Sequence, residues 1–268
     1  MSILKKENLK TKITFESLRT WNVRLAVLHA VQGVIILILS ASRTYPVTLN
    51  YLGVDTLQSQ AHGHTVFAAG MHQLFSVNLA YIVAMFFFVA AIAHILMATK
   101  LRDFYEKDLK KGINKIRWFE YALSAGIMLV GVGLLTGVSD FSSLLMIFVL
   151  CAAMNLLGLV MEEHNQGVKK TNWLAYVIGC IAGIVPWIVF GIYIVAAHLY
   201  GSGVPTFVYW IYVSIFLLFA GFAANTFLQY RKVGKWSNYL YGERVYMILS
   251  LVAKAFLAWQ IFAGSLRP

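Results

Sequence analysis

The sequence predicts an all-α membrane protein built as a bundle of seven transmembrane helices. Of its 268 residues, 60% are hydrophobic and only 12% are charged, whereas soluble domains carry about 25% charged residues. The apolar residues fall into runs that are long enough to cross a bilayer, which takes about 20 residues each. The cations cluster in alternate connections between these runs. Lipid is therefore needed to cover the apolar surface.

The seven predicted spans form one domain, residues 1–268, without repeats. They lie at about 21–41, 67–97, 114–136, 142–161, 173–197, 206–230 and 243–263. The second is the longest, and we expect it to be tilted or to project beyond the lipid. Residues 42–66, between the first two spans, combine β-prone residues with turn formers. This connection predicts a short β-hairpin.

The positions of Lys and Arg predict the orientation, because cytoplasmic segments accumulate them. Six of the 22 fall in the amino tail and start of the first span, seven around the second connection, two in the fourth and four around the sixth. The other side has Arg43 and Arg267, and Lys254 lies within the last span. We expect a multi-pass plasma membrane protein with a cytoplasmic amino terminus. Its net charge of +11 then indicates membrane lipid rather than nucleic acid as partner.

Lys254 is the first candidate for chemistry. It lies about eleven residues into the last span, which at about 1.5 Å per residue is near the middle of the membrane. A charged Lys there costs at least about 2.5–3.5 kcal/mol. A desolvated lysine favours the neutral amine that forms a Schiff base with a carbonyl compound. The alternative is a lysine that pairs with a buried carboxylate only for packing or assembly.

Glu120, on the inner part of the third span, is the best candidate to neutralise Lys254. The alternative is an interfacial Glu120 that pairs with Arg117, three residues earlier on the same helix. The other carboxylates near the spans fall in a turn or at helix ends: Asp140, Glu162, Glu163 and Glu243.

Three further polar residues, His29, His94 and Ser250, fall in the inner half of the predicted bundle. Ser250 lies one turn before Lys254 on the same helix face. Together they predict a hydrated polar pocket between Lys254 and the inner face. Two alternatives stay open: each histidine is a packing residue, or the pair binds haem in an electron-transfer protein. The haem alternative leaves Lys254 unexplained.

Several runs of the sequence resemble the heliorhodopsins, and the resemblance covers essentially the whole chain. The runs are Ser250-Leu-Val-Ala-Lys254, Trp118-Phe-Glu-Tyr121, Gly179-Cys-Ile-Ala-Gly-Ile-Val-Pro-Trp187 and Gly234-Lys-Trp-Ser-Asn-Tyr-Leu240. The resemblance implies a bundle of rhodopsin type with its amino terminus inside. It also implies that Lys254 carries all-trans retinal as a Schiff base and that Glu120 is the counterion.

The resemblance implies further site residues and a biological role. His29, His94 and Ser250 would surround a water-filled cavity beside the retinal attachment point. The remaining expected cofactor-binding residues are Ser124, Tyr121, Phe219 and Pro186. The family resemblance also implies a homodimer that is not an enzyme and that acts as a photosensor or regulator, with an unidentified cytoplasmic signalling partner.

The alternative function is a light-driven or light-gated proton or ion transporter, because buried Glu and His residues can form proton relays. Microbial proton pumps hold an acceptor and a donor on the third span, about three turns apart. Gly131 occupies the position about three turns beyond Glu120 and cannot carry a proton. The outer half of the last span is apolar up to Gln260. We therefore predict a photocycle without net pumping.

Overall fold

The computed structural model of the protein describes residues 13–268. Its elements in chain order are α1 (Phe15–Leu39), β1 (Thr44–Val54), α2 (Thr56–His62), β2 (Phe67–Asn78), α3 (Leu79–Ala98), α4 (Arg102–Lys111), α5 (Lys115–Thr136), α6 (Phe141–His164), α7 (Leu174–Tyr200), α8 (Thr206–Tyr230) and α9 (Tyr239–Ile261). A 3₁₀ turn (Gly234–Ser237) precedes α9, and a π turn (Phe262–Leu266) follows it. Apart from the short α2 and α4, these are seven helices that are long and apolar enough to span a membrane.

The two ends of the bundle differ in chemistry. One end, here called the basic end, carries the start of α1, helix α4 and the connections 165–173 and 231–238. The opposite end, called the ribbon end, carries strands β1 and β2 and the turn between α5 and α6. Four of the amino-tail lysines counted in the sequence lie outside the described residues: Lys5, Lys6, Lys10 and Lys12.

The predicted second span, 67–97, is wrong over its first twelve residues. Residues Phe67–Asn78 form β2, which pairs antiparallel with β1 from Thr44↔Asn78 to Val54↔Phe67. The helix begins only at Leu79, because the Asn78 side chain accepts a hydrogen bond from the Ala80 N–H at 2.9 Å and caps the helix. The apolar run therefore continues across a change from strand to helix. The connection 42–66 contains only the first strand.

The remaining span boundaries differ from the prediction by only a few residues. The largest difference is in α1, which begins at Phe15 rather than at about 21, because Thr14 and Ser17 form a reciprocal capping box. Helix α9 begins at Tyr239 rather than at about 243, where Asn238 caps it through the Leu240 N–H. The first turns of these helices contain charged or polar residues, so they fall outside the apolar runs from which the spans were predicted.

The ribbon is attached to the bundle at the turn between α5 and α6. The Thr48 N–H donates to the Ser139 carbonyl at 2.8 Å, and the Asn50 N–H donates to Asp140 Oδ1 at 3.1 Å. The second oxygen of Asp140 accepts from the Ser143 N–H at 2.9 Å and caps α6. One carboxylate thus joins the ribbon to the start of a membrane helix.

The ribbon half of the bundle contains a continuous apolar core. Helices α3, α5 and α9 meet there through side chains that are fully or almost fully buried, among them Phe86, Phe87, Leu129, Val132 and Leu257. Large apolar side chains on α7 and α8 face outward instead, as expected for surfaces covered by lipid. The polar groups of the site described below lie on the basic side of this core.

We predict that Asp140→Ala lowers the stability of the fold by about 1–2 kcal/mol, since it removes a helix cap together with the ribbon contact. Burial by itself would raise the pKa of Asp140, but the backbone N–H groups of Ser143 and Asn50 hold its pKa below the usual value. The carboxylate therefore stabilises the fold above about pH 3.9. This contribution is lost as the pH falls through the lower folded-state value.

Thermal unfolding of the full chain in lipid at neutral pH measures this effect. Asp55→Ala is the matched control, because Asp55 also caps a helix, through the Gln58 N–H at 3.0 Å, but the helix is the short α2 at the tip of the ribbon. Equal unfolding temperatures for the two variants would contradict the proposed role of Asp140.

Candidate functional site

A buried ion pair lies at the centre of the bundle. Lys254 Nζ is 3.1 Å from Glu120 Oε1, and both side chains are 4% exposed. The ammonium also donates to the Ser250 hydroxyl at 2.7 Å. The Ser124 hydroxyl donates to the same Glu120 oxygen at 2.6 Å. Four residues of the predicted site are thus brought together, and the pair offsets the cost of each buried charge.

The local geometry follows from helix direction. Side chains of a helix lean toward its amino terminus, so Lys254 reaches back along α9 to the residue one turn earlier, Ser250. Ser124 lies one turn beyond Glu120 on α5 and bonds it across the i, i+4 spacing. The cation also lies 5.3 Å from the centre of the Tyr121 ring, close enough for a cation–π interaction.

An apolar cavity of about 280 Å³ adjoins Lys254. Helices α5 to α9 enclose it, and Lys254 and Ser250 form part of its wall. Its aromatic lining consists of Trp118, Tyr121, Tyr176, Trp187, Phe216, Phe219 and Phe222. Gly179 and Gly183 of α7 also line it, and a Cβ at Gly183 would collide with the Met154 side chain, so this glycine lets α7 approach α6 closely.

Tyr121 and Phe219 lie on the cavity wall as expected, but Pro186 does not. Pro186 is buried within α7, while the next residue, Trp187, lines the cavity. Pro186 is not among the residues that line the cavity. The expectation that Pro186 contacts the cofactor is therefore not supported by the cavity.

The two predicted histidines lie together on the α1–α3 side of Lys254 rather than in the cavity wall. The rings of His29 and His94 stack with centroids 5.6 Å apart and an angle of 10° between planes. His94 Nδ1 is 2.7 Å from Asn22 Oδ1. Among the described residues, neither nitrogen of His29 nor Nε2 of His94 has a hydrogen-bond partner. Both histidines interact electrostatically with Lys254. This arrangement provides a polar region toward the basic end.

Sequence reasoning missed two features near this site. The first is Asn22, which lies seven residues before His29 and therefore on the same face of α1. This seven-residue spacing in the sequence could have indicated that Asn22 lies near His29. The second is a buried cluster in which Arg117 binds both Glu162 and Glu243. The alternative that Arg117 pairs with Glu120 is wrong, because the guanidinium is occupied by carboxylates from α6 and α9.

Comparison with known proteins identifies the family. Residues 18–266 match the protein-family model described as heliorhodopsin, which is most of the chain. The chain belongs to the heliorhodopsin family. Membership implies a retinal chromophore and light sensing in a multi-pass membrane protein. No curated protein sequence matches this heliorhodopsin.

Solved structures of microbial rhodopsins share the fold of this heliorhodopsin at low sequence identity. A light-driven proton pump from Leptosphaeria maculans has a TM-score of 0.63 at 16% identity, covering 92% of this chain and 93% of its own. The transmembrane domain of the Salpingoeca rosetta rhodopsin phosphodiesterase has a TM-score of 0.59 at 14% identity, and the match covers 97% of this chain and 87% of that one. A cyanorhodopsin from the cyanobacterium Tolypothrix has a TM-score of 0.56 at 12% identity, and the match covers 94% of this chain and 92% of that one.

The residues at this site fit retinal. Lys254 is the one buried lysine among residues 13–268, and its amine faces an apolar cavity with aromatic walls. A carboxylate lies beside it to neutralise a cation at the same nitrogen. The haem alternative does not fit, because the His29 and His94 rings stack on each other, whereas two axial ligands would lie on opposite faces of a haem.

Proposed function

We propose that this heliorhodopsin is a photosensor in which Lys254 holds all-trans retinal, Glu120 is the counterion, and no net ion transport occurs. The observation that carries the proposal is the buried pair between Lys254 Nζ and Glu120 Oε1, 3.1 Å apart, beside the apolar cavity. Bound retinal supplies absorption of visible light and photoisomerisation.

The residues around Lys254 have distinct roles in this proposal. Glu120 favours a positive charge on the Lys254 nitrogen, and the Ser124 hydroxyl holds the carboxylate in place. The Ser250 hydroxyl accepts a hydrogen bond from that nitrogen at 2.7 Å. The rings of Trp187 and Phe219, 5.6 Å apart, restrict the shape of the cavity. The side chains therefore position the reacting nitrogen and exclude water from the polyene.

The absence of net transport is inferred from the ribbon half of the bundle. The buried carboxylates of residues 13–268 are Asp108, Glu120, Glu162 and Glu243. None of them lies on the ribbon side of Lys254. Gly131 occupies the helical position beyond Glu120 where a second proton carrier would be needed, and fully buried Leu257 and Ile261 follow Lys254 on α9. Among residues 13–268, a proton leaving the site therefore meets buried carboxylates and histidines only toward the basic end.

A light-driven or light-gated transporter is the second candidate. The observation in its favour is the His29–His94 pair, whose free ring nitrogens can take up protons from Lys254. These groups lie on one side of the site. They support reversible proton movement more directly than vectorial transport.

The orientation and partners are also proposals. The excess of Lys and Arg at the basic end supports a cytoplasmic amino terminus in the plasma membrane. A homodimer and a cytoplasmic signalling partner rest on the family resemblance. The family match does not indicate catalysis, and the proposal includes no enzymatic activity.

We predict that Lys254→Ala abolishes the visible absorption band of protein expressed with retinal, while the helical bundle still forms. The physical reason is that the substitution removes the buried amine. Absorption and circular dichroism spectra measure the two effects. Lys115→Ala is the control, because Lys115 pairs with Glu163 at the surface and its loss leaves the band in place. A covalently bound, borohydride-trappable chromophore in Lys254→Ala would contradict the assignment.

We predict that Glu120→Gln shifts the visible band to longer wavelength, because loss of the negative charge reduces the preference for positive charge at the nitrogen. Absorption spectra at fixed pH measure the shift. Glu163→Gln, a carboxylate change at the basic end surface, should leave the spectrum unchanged. An unaltered band in Glu120→Gln would show that another group is the counterion.

We predict that illuminated cells or liposomes containing the protein show no pH change that an uncoupler abolishes. The reason is that, among residues 13–268, the buried histidines and the buried carboxylates other than Glu120 lie on the basic side of Lys254, so a released proton returns from the same side. A pH electrode under continuous light measures this. A steady light-driven gradient that is lost both with uncoupler and in Lys254→Ala would refute the photosensor proposal and favour the transporter.

A further inference from the structure

The buried cluster around Arg117 lies outside the proposed retinal site. It joins α5, α6 and α9 at the basic end. The Arg117 guanidinium binds Glu162 Oε1 at 2.5 Å through Nη2 and binds Glu243 Oε2 through Nη1. Arg117 is 3% exposed, Glu162 2% and Glu243 1%. All three charges are therefore removed from water.

The charges of this cluster do not balance. Lys254 and Arg117 are the buried lysine and arginine side chains of residues 13–268, and Lys254 is already paired with Glu120. Arg117 alone thus faces two carboxylates. Its remaining donor, Nε, is buried without an acceptor among the described residues. A second unneutralised carboxylate in an apolar interior is costly, and two carboxylates that share a site favour binding of one proton.

We propose that the Arg117–Glu162–Glu243 cluster is a proton-binding site, and that Glu243 carries the exchangeable proton on Oε1. This inference goes beyond the proposed function and does not require the chromophore. The proton comes from water at the basic end and converts the Glu243 carboxylate to a carboxylic acid. Arg117 and Glu162 then remain as a balanced ion pair.

Hydrogen bonding distinguishes the two carboxylates. Glu162 accepts four bonds in all: from Arg117, from the Asn114 N–H at 2.9 Å, from Trp118 Nε1 at 2.6 Å and from the Tyr239 hydroxyl at 2.9 Å. Three of these donors are N–H groups that cannot accept a proton in return. This environment stabilises an ionised Glu162.

Glu243 accepts fewer short hydrogen bonds than Glu162, and its Oε1 has room for a proton. Its Oε2 accepts from Arg117, and Oε1 accepts from Asn114 Nδ2 at 2.6 Å. The Tyr105 hydroxyl reaches Oε1 only at 3.4 Å, longer than the usual O–H···O distance of about 2.7–2.8 Å. A hydroxyl can donate or accept, so Tyr105 can also receive a hydrogen bond from a protonated Oε1.

Tyr105 connects this site to the histidines near Lys254. Burial raises the pKa of Tyr105 well above its ordinary value, and the Glu243 carboxylate raises it further, so the phenol stays protonated. The Asn22 side chain also interacts with this hydroxyl, and Asn22 Oδ1 lies 2.7 Å from His94 Nδ1. A polar path therefore runs from Glu243 through Tyr105 and Asn22 to His94.

Other titratable groups surround the cluster from each packed element. They are Tyr105 and Asp108 on α4, Tyr230 on α8, and Tyr239 and Tyr246 on α9. Asp108 is buried, and its Oδ2 has no partner among the described residues.

Infrared spectroscopy of the full chain in lipid, kept in the dark and titrated with pH, tests the proposal. Wild-type protein should show a carboxylic-acid carbonyl band that shifts in heavy water, and Glu243→Gln should lose it. Glu162→Gln should also lose the band, because Arg117 then faces one carboxylate. Glu163→Gln, which alters the neighbouring surface pair with Lys115, should retain it.

Two conservative variants identify which carboxylate holds the proton without removing any charge. Tyr105→Phe should shift the band, since this hydroxyl contacts Glu243. Tyr239→Phe should leave it in place, since that hydroxyl contacts Glu162. The proposal is overturned if wild type lacks the band, if Glu243→Gln retains the whole band, or if only Tyr239→Phe shifts it. None of these outcomes depends on retinal, so they are distinct from a failure of the photosensor proposal.

Discussion

The ion pair between Lys254 and Glu120 is the interaction on which the arrangement of the bundle interior depends. A lone charge at this depth would be expelled or neutralised, so α5 and α9 must bring the two groups together. Ser124 and Ser250 then use the remaining hydrogen-bonding capacity of the pair. The apolar cavity can adjoin a charged nitrogen because that charge is compensated on its opposite side.

The same pair separates two unlike halves of the molecule. Toward the ribbon end, apolar side chains such as Phe86, Leu129 and Leu257 pack closely, and no buried carboxylate or histidine of residues 13–268 lies among them. Toward the basic end, His94, Asn22 and Tyr105 form a chain of polar contacts. The proposed absence of net transport rests on this difference between an apolar side and a side with hydrogen-bonding groups. The asymmetry follows from side-chain placement within a fold that pumps also share.

Much of the fold could be predicted because bilayer thickness fixes the length of an apolar run. Lys254 and Glu120 were identifiable because charges within such runs are rare. Strand β2 was not identifiable, because Phe67–Asn78 continues into α3 with similar hydropathy. Only its pairing with β1 reveals the strand. Pro186 was expected at the cofactor, but it is not among the residues that line the cavity, whereas Trp187 is. Glu162 and Glu243 lie near helix ends as expected, but their burial depends on three helices meeting at Arg117.

The cluster at Arg117 gives the basic end a property that the ribbon end lacks. Its carboxylates come from α6 and α9, and Tyr105 adds the surface helix α4, so a change in its charge acts on several elements at once. The Arg117 guanidinium lies 4.0 Å from the centre of the Tyr246 ring, and the Tyr246 carbonyl accepts the Tyr121 hydroxyl at 2.9 Å. Tyr121 in turn borders both the cavity and Lys254. Packed aromatic rings therefore join the light-absorbing site to a buried charge imbalance near the membrane surface. In the proposed photosensor, a movement of Tyr121 against this stack would change the environment of Arg117 without any proton crossing the apolar half.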